Sequence, residues 1–290
     1  MQRRLFAVAL AVATLAACSK PEPPPAPPAP PPPPPPPPSE RKLDVSKLPP
    51  LKYAGVGFEA RAGVIAPAGG DATATLTVQA TAPSKAEVPL DGPLTLAFAN
   101  GVQLRKQLQG FGSGQVADLV LSGSVPAGTS WDGATLTVSE SGKPPQTVTV
   151  GKPAPSGSMA LAPSGEAVAP SRYRDPITYQ VAQAALELDG PRSGGFFERT
   201  TDAQRFARIR VTVLNKGAKS GVSIGQEAFE LHVDGQSMNI AVGLFARAIA
   251  FNQSADFDMV YRVPADAQKL VLIVGADGKK PAQIELVRSP

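Results

Sequence analysis

Ala74-Thr75-Leu76-Thr77-Val78 and Ile209-Arg210-Val211-Thr212-Val213 share one alternation, with apolar residues on one face and polar ones on the other. That period of two is the mark of a half-buried β-strand. The likeness continues along the chain. Leu94 to Phe98 followed by Asn100-Gly101 matches Phe229 to Val233 followed by Asp234-Gly235. Ala117 to Leu121 running to Val125-Pro126-Ala127 matches Ala255 to Met259 running to Val263-Pro264-Ala265. A final hairpin with Leu136, Val138, Val148 and Val150 matches Leu272, Val274, Ile284 and Leu286. Side-chain parity is kept throughout, which a one-residue slip would invert. The chain therefore reads as an internal repeat of one β plan.

Each half holds short alternating strands punctuated by Gly, Pro, Asn and Asp, with little helical periodicity. This predicts an all-β fold of two tandem immunoglobulin-like β-sandwiches, without the Cys–Trp–Cys signature of antibody domains. The expected boundaries are a signal peptide at 1–17, a Pro-rich tether at 18–50, a first sandwich at 51–150, a linker at 151–174 and a second sandwich at 175–290. The linker reading rests on the Pro, Ala, Gly and Ser content of Gly151 to Ser171.

The leader is a basic Arg3-Arg4, an apolar run from Leu5 to Leu15, then Ala16-Ala17-Cys18. Charge, short apolar core and small residues are those of a secretory signal, too short for a membrane span. Leu15-Ala16-Ala17-Cys18 resembles the lipobox of bacterial lipoproteins. The resemblance implies cleavage between Ala17 and Cys18 and lipidation of Cys18. It makes the membrane a partner through the lipid, and Ser19 favours the outer membrane facing the periplasm. Pro21 to Pro38 is broken only by Glu22, Ala26 and Ala29. Polyproline geometry makes it a disordered but stiff spacer of roughly 55 Å.

In the second half, Tyr179-Gln180-Val181, the strand Ile209 to Leu214 with Asn215-Lys216-Gly217, Phe229-Glu230-Leu231 with Asp234-Gly235, and Phe257 to Val263-Pro264 form a further pattern. It resembles a bacterial Ig-like domain of unknown function, found in lipoproteins and similar to immunoprotective extracellular proteins. The resemblance covers roughly 175–287 and implies an exported β-sandwich; it brings no catalytic residue. The first half has Ala80-Thr81-Ala82-Pro83 where Asn215-Lys216-Gly217 stands.

Composition narrows the chemistry. The formal charge of +4 falls to about +2 without Arg3 and Arg4, and the basic residues are dispersed among acids, so nucleic acid is not an expected partner. One cysteine allows no internal disulfide, and one histidine, His232, sits on the polar side of its strand beside Glu230. No catalytic residue, metal site or cofactor is expected from this set. Candidate binding residues are Phe196 and Phe197 on a glycine loop, the lone Trp131, and Arg208 with Arg210 on one outward face. Each has a structural alternative: rings capping a sandwich end, local packing, and a solvated strand face. The expected function is a non-catalytic, membrane-anchored envelope lipoprotein presenting Ig-like modules to a protein or cell-wall partner. Two alternatives are an envelope hydrolase or inhibitor using Asp256 and Asp258 near the Trp131 loop, and an accessory protein pairing through a strand edge.

Overall fold

The computed structural model describes residues 39–170, 175–192, 194–243 and 246–288. The stretch read as a signal peptide, with Ala17, Cys18 and the proline run, lies outside the described residues. What is described is all-β, with two single-turn 3-10 segments at Val45–Lys47 and Gln226–Ala228 and no α-helix among the described residues.

Two sheets close over the first core. One runs Arg41–Lys42, Val56–Ala68, Asp71–Thr81, Val116–Val125, with Leu51–Tyr53 also paired to Val56–Ala68. The other runs Gln103–Phe111, Val88–Ala97, Thr135–Glu140, Lys143–Thr149. Their inward residues, among them Phe58, Leu76, Val78, Leu94, Leu96 and Leu136, form one buried cluster. Alternation places each of them on the inner face, as the sequence pattern requires.

The second half repeats this order. Pro176–Glu187, Gln204–Leu214 and Ser254–Pro264 pair in series, as do Gln236–Met238, Phe229–Val233, Leu270–Val274 and Ala282–Arg288. In the latter sheet the repeat holds pair for pair. Leu94 faces Val138 and Leu96 faces Leu136; their counterparts Phe229 and Leu231 face Val274 and Leu272. In the other sheet Leu76 faces Leu121, whereas Val211 faces Phe257 and not Met259, an offset of two residues. An even offset keeps every apolar side chain inward, so the core tolerates it.

The structure departs from the sequence reading in three places. The stretch read as a linker holds two strands, Ser158–Pro163 and Glu166–Pro170. Leu161, Ala167 and Ala169 are buried, and Pro163 and Pro170 stand at strand ends, where a missing N–H is tolerated. Ser158–Pro163 pairs first with Pro176–Glu187 and then with Ala282–Arg288, joining both sheets of the second half into one. That sheet curls almost to closure, since its terminal strands Gln236–Met238 and Ile240–Val242 are separated only by Asn239.

The stretch read as a tether also contains residues before position 50 that belong to the first core. Arg41 donates to the carbonyls of Thr129 and Ala127, and Leu43 and Leu48 join the first core. Finally, of the two dipeptides whose tolerance of positive φ reads as a hairpin turn, Asp234-Gly235 is a two-residue turn with both φ positive, but Asn100-Gly101 belongs to a longer connection in which only Gly101 has positive φ. Phe98 N–H to the Val102 carbonyl closes that connection at 2.9 Å. Room for the buried Trp131 ring against Phe98, at 5.4 Å between centroids, accompanies this wider loop.

Candidate functional site

A feature bonded to both halves is the hairpin 189–199, formed by Asp189–Arg192 and Phe196–Arg199. Strand parity puts Phe197 and Arg199 on one side and Phe196 and Glu198 on the other. The hairpin lies over Phe206, a ring on the outer side of its strand. Gly190 meets that ring so closely that an added Cβ would stand 2.4 Å from it.

Its other side reaches the first half. Glu87 N–H donates to the Gly195 carbonyl at 2.9 Å, and Phe197 N–H donates to the Glu87 carbonyl at 2.8 Å. The Phe197 ring packs on the first core above Gly55, whose φ of 82° closes the turn after Tyr53. A Cβ on Gly55 would stand 2.5 Å from the ring, and its positive φ would strain any other residue.

Arg199 completes the joint. It is 2 % exposed and grips Asp189 bidentately, at 2.7 Å through Nε and 3.2 Å through Nη2. Its remaining donors go to the first half: the Pro144 carbonyl at 3.1 Å, Gln146 Oε1 at 3.3 Å and the Lys52 carbonyl at 3.4 Å. The guanidinium lies 4.1 Å above the Tyr53 ring. Burial pushes the Tyr53 phenol well above its ordinary range. A planar, always charged fork suits this place, because it can satisfy a carboxylate and several carbonyls at once. An open cleft of about 340 Å³ lies alongside, lined in part by Lys52, Gln146, Pro155, Glu187 and Asp189.

The residues singled out in the sequence fall into separate places. Phe196 and Phe197 sit on this hairpin and not on an open loop; the Phe197 ring packs on the first half of the same chain, and Phe196 meets it through a backbone bridge to Glu87. Trp131 is buried, and its Nε1 donates to the Arg41 carbonyl at 3.1 Å. Arg208 and Arg210 do share an outward face, yet Arg208 pairs with Glu187 at 3.2 Å and Arg210 with Asp258 at 2.7 Å. The hydrogen bond and charge of Asp258 raise the Arg210 pKa further. Asp256 accepts from Thr212 at 2.7 Å, so the two aspartates serve cross-strand pairs, while Trp131 belongs to the other core. His232 sits 3.0 Å from Glu230 on the outer side of its strand. Among the described residues no group of three or more His, Cys, Asp or Glu side chains could hold a metal.

Sequence reasoning passed over Arg199 and Asp189. The available signal was the parity of Phe197 with Arg199 beside an Asp189-Gly190 step, but a buried arginine is recognisable only once its acceptors converge from distant segments. No protein family, curated protein or solved structure matches the chain.

Proposed function

We propose that this protein is a non-catalytic, lipid-anchored envelope protein in which two Ig-like β-sandwiches, coupled through the hairpin 189–199, present surfaces to an envelope protein or to the cell wall. The family likeness of residues 175–287 belongs to the same proposal. What supports the scaffold part is that the side chains best suited to chemistry have structural partners within the chain. Arg199 and Phe197 hold the joint, Trp131 caps a core, and Arg210, Asp256 and Asp258 bond across strands. The anchor part is supported by Leu15-Ala16-Ala17-Cys18 and the proline run behind it. Several acyl chains at Cys18 would hold the protein stably on a membrane, where a single chain would not.

The test is membrane fractionation of cells making the full chain. The wild type is expected in the membrane fraction and Cys18→Ala in the soluble one. Unchanged membrane association of Cys18→Ala would refute the lipid anchor.

A further inference from the structure

The strand Val116–Val125 ends its sheet. It pairs with Asp71–Thr81 on one side and, among the described residues, has no backbone partner on the other. It runs for 10 residues with one charge, Asp118, and no proline, and its outward face carries Val116 and Val120 at 57 % and 49 % exposure. Natural sheets blunt such edges, and the other sheet ends described here are blunted. Gln103–Phe111 carries the exposed Arg105 and Lys106. Lys143–Thr149 carries Pro144 and Pro145 directly after its first residue, and Arg199 occupies the Pro144 carbonyl. Glu166–Pro170 is short, with an acid at one end and proline at the other.

The repeat sharpens the contrast. The counterpart of Val116–Val125 is Ser254–Pro264, and its outer edge is covered by Ile240–Val242, with Ile240 facing Tyr261 and Val242 facing Val260. In the second half the chain leaves Gln236–Met238 and crosses to supply that cover. In the first half Gln103–Phe111 continues along its own sheet, and only four residues separate it from Val116. No segment is left to cross over.

We propose that a second copy of this chain covers the edge, the two Val116–Val125 strands pairing antiparallel about a two-fold axis centred on Val120. Self-complementarity selects this occupant and this register. Val120 then faces Val120 of the second copy, Asp118 faces Ser122, and Val116 faces Ser124. On the inner side, the partly buried Leu119 faces Leu121. Apolar cross-strand pairs and an acid beside a hydroxyl are favourable, whereas the register centred on Asp118 would oppose two carboxylates. Two-fold pairing also closes, so it consumes the bare edge without building a filament.

The experiment uses the full chain purified from membranes in detergent, with sedimentation for mass and oxidation for proximity. The wild type sediments as a dimer. Val120→Cys crosslinks to itself on oxidation, because directly opposed positions lie within disulfide reach. Thr77→Cys, on the neighbouring strand, does not, because three inter-strand spacings put its copies about 14 Å apart. Val120→Lys sets like charges against each other and weakens self-association by at least about a hundredfold. Val116→Lys, equally exposed and on the same face, stays dimeric, as does Ser122→Lys, which meets Asp118 of the second copy. A monomeric wild type overturns the proposal. So does equal behaviour of Val116→Lys and Val120→Lys, or capture of a different protein by Val120→Cys in place of a second copy.

Discussion

The two halves share a strand order but solve the same problems with different parts. At the turn after the central strand, the second half uses Asn215, fully buried. Its amide donates to the Ala218 and Ile249 carbonyls at 3.0 and 3.1 Å, and its Oδ1 accepts from Ala218 N–H at 2.8 Å. The first half has Ala82 and Pro83 there and closes the turn mainly through the facing loop: Ala82 N–H to the Gln115 carbonyl, Gly114 N–H to the Pro83 carbonyl and Ser113 Oγ to the Ser84 carbonyl, each 2.8 Å. The second half also spends its longer connections on covering its own edges, and the first leaves one edge bare. A shared strand order therefore does not imply shared surfaces.

The joint between the halves offers the largest effect. Arg199→Ala leaves the half-buried Asp189 without its partner and removes the bonds to Lys52, Pro144 and Gln146, so stability should fall by about 3 kcal/mol, the low end for breaking a buried pair. Urea unfolding followed by tryptophan fluorescence, which reports the first half through Trp131, should separate from the whole-chain circular dichroism transition. An unchanged midpoint would show that the joint does not couple the halves. Asn215→Ala should cost about 1–3 kcal/mol for the polar groups it orphans. Local protection in hydrogen exchange should drop around Ala218 and Ile249, while the turn at Ala82, which has no such asparagine, stays as it was. Trp131→Phe keeps most of the apolar contact and loses one hydrogen bond, a cost of about 1 kcal/mol read as a small shift in melting temperature.

Alkaline pH should erode both halves together. Burial is the main cause that raises the phenols of Tyr53, Tyr179 and Tyr261 far above the ordinary value of 10.0. Below pH 10 folded and unfolded chains both keep these protons, and stability does not depend on them. Above it the unfolded chain releases protons that the folded chain retains, so the denaturation midpoint should decline as pH rises past about 10. A flat profile to pH 11 would contradict their burial. The smallest effect belongs to Arg210→Ala: its pair with Asp258 is solvent-exposed, and the urea midpoint should stay within error.

Much of the β plan was legible because alternation is a local property. The parity of Leu76, Val78, Val211 and Val213 gives the inner face of each strand without any knowledge of its neighbours. The turn at Asp234-Gly235 was legible for the same reason. The stretch from Gly151 to Ser171 was not, because small residues and prolines look alike in a linker and in a strand whose partners are distant. Ser158–Pro163 is a strand only because Pro176–Glu187 and Ala282–Arg288 stand beside it.

The candidate site shows the same division. Phe196, Phe197 and Trp131 were visible as uncommon aromatics, but their sequence does not say what they touch. Gly55, Glu87 and Arg41, far away in the chain, decide that. By itself the sequence determined the alternating strands, their faces, their repetition and the expectation of a lipid anchor at Cys18, since each pattern is read from residues near one another in the chain. Only the tertiary structure decided that Arg199 ties the halves together and that Val116–Val125 is left uncovered. Both depend on which distant backbone groups find partners.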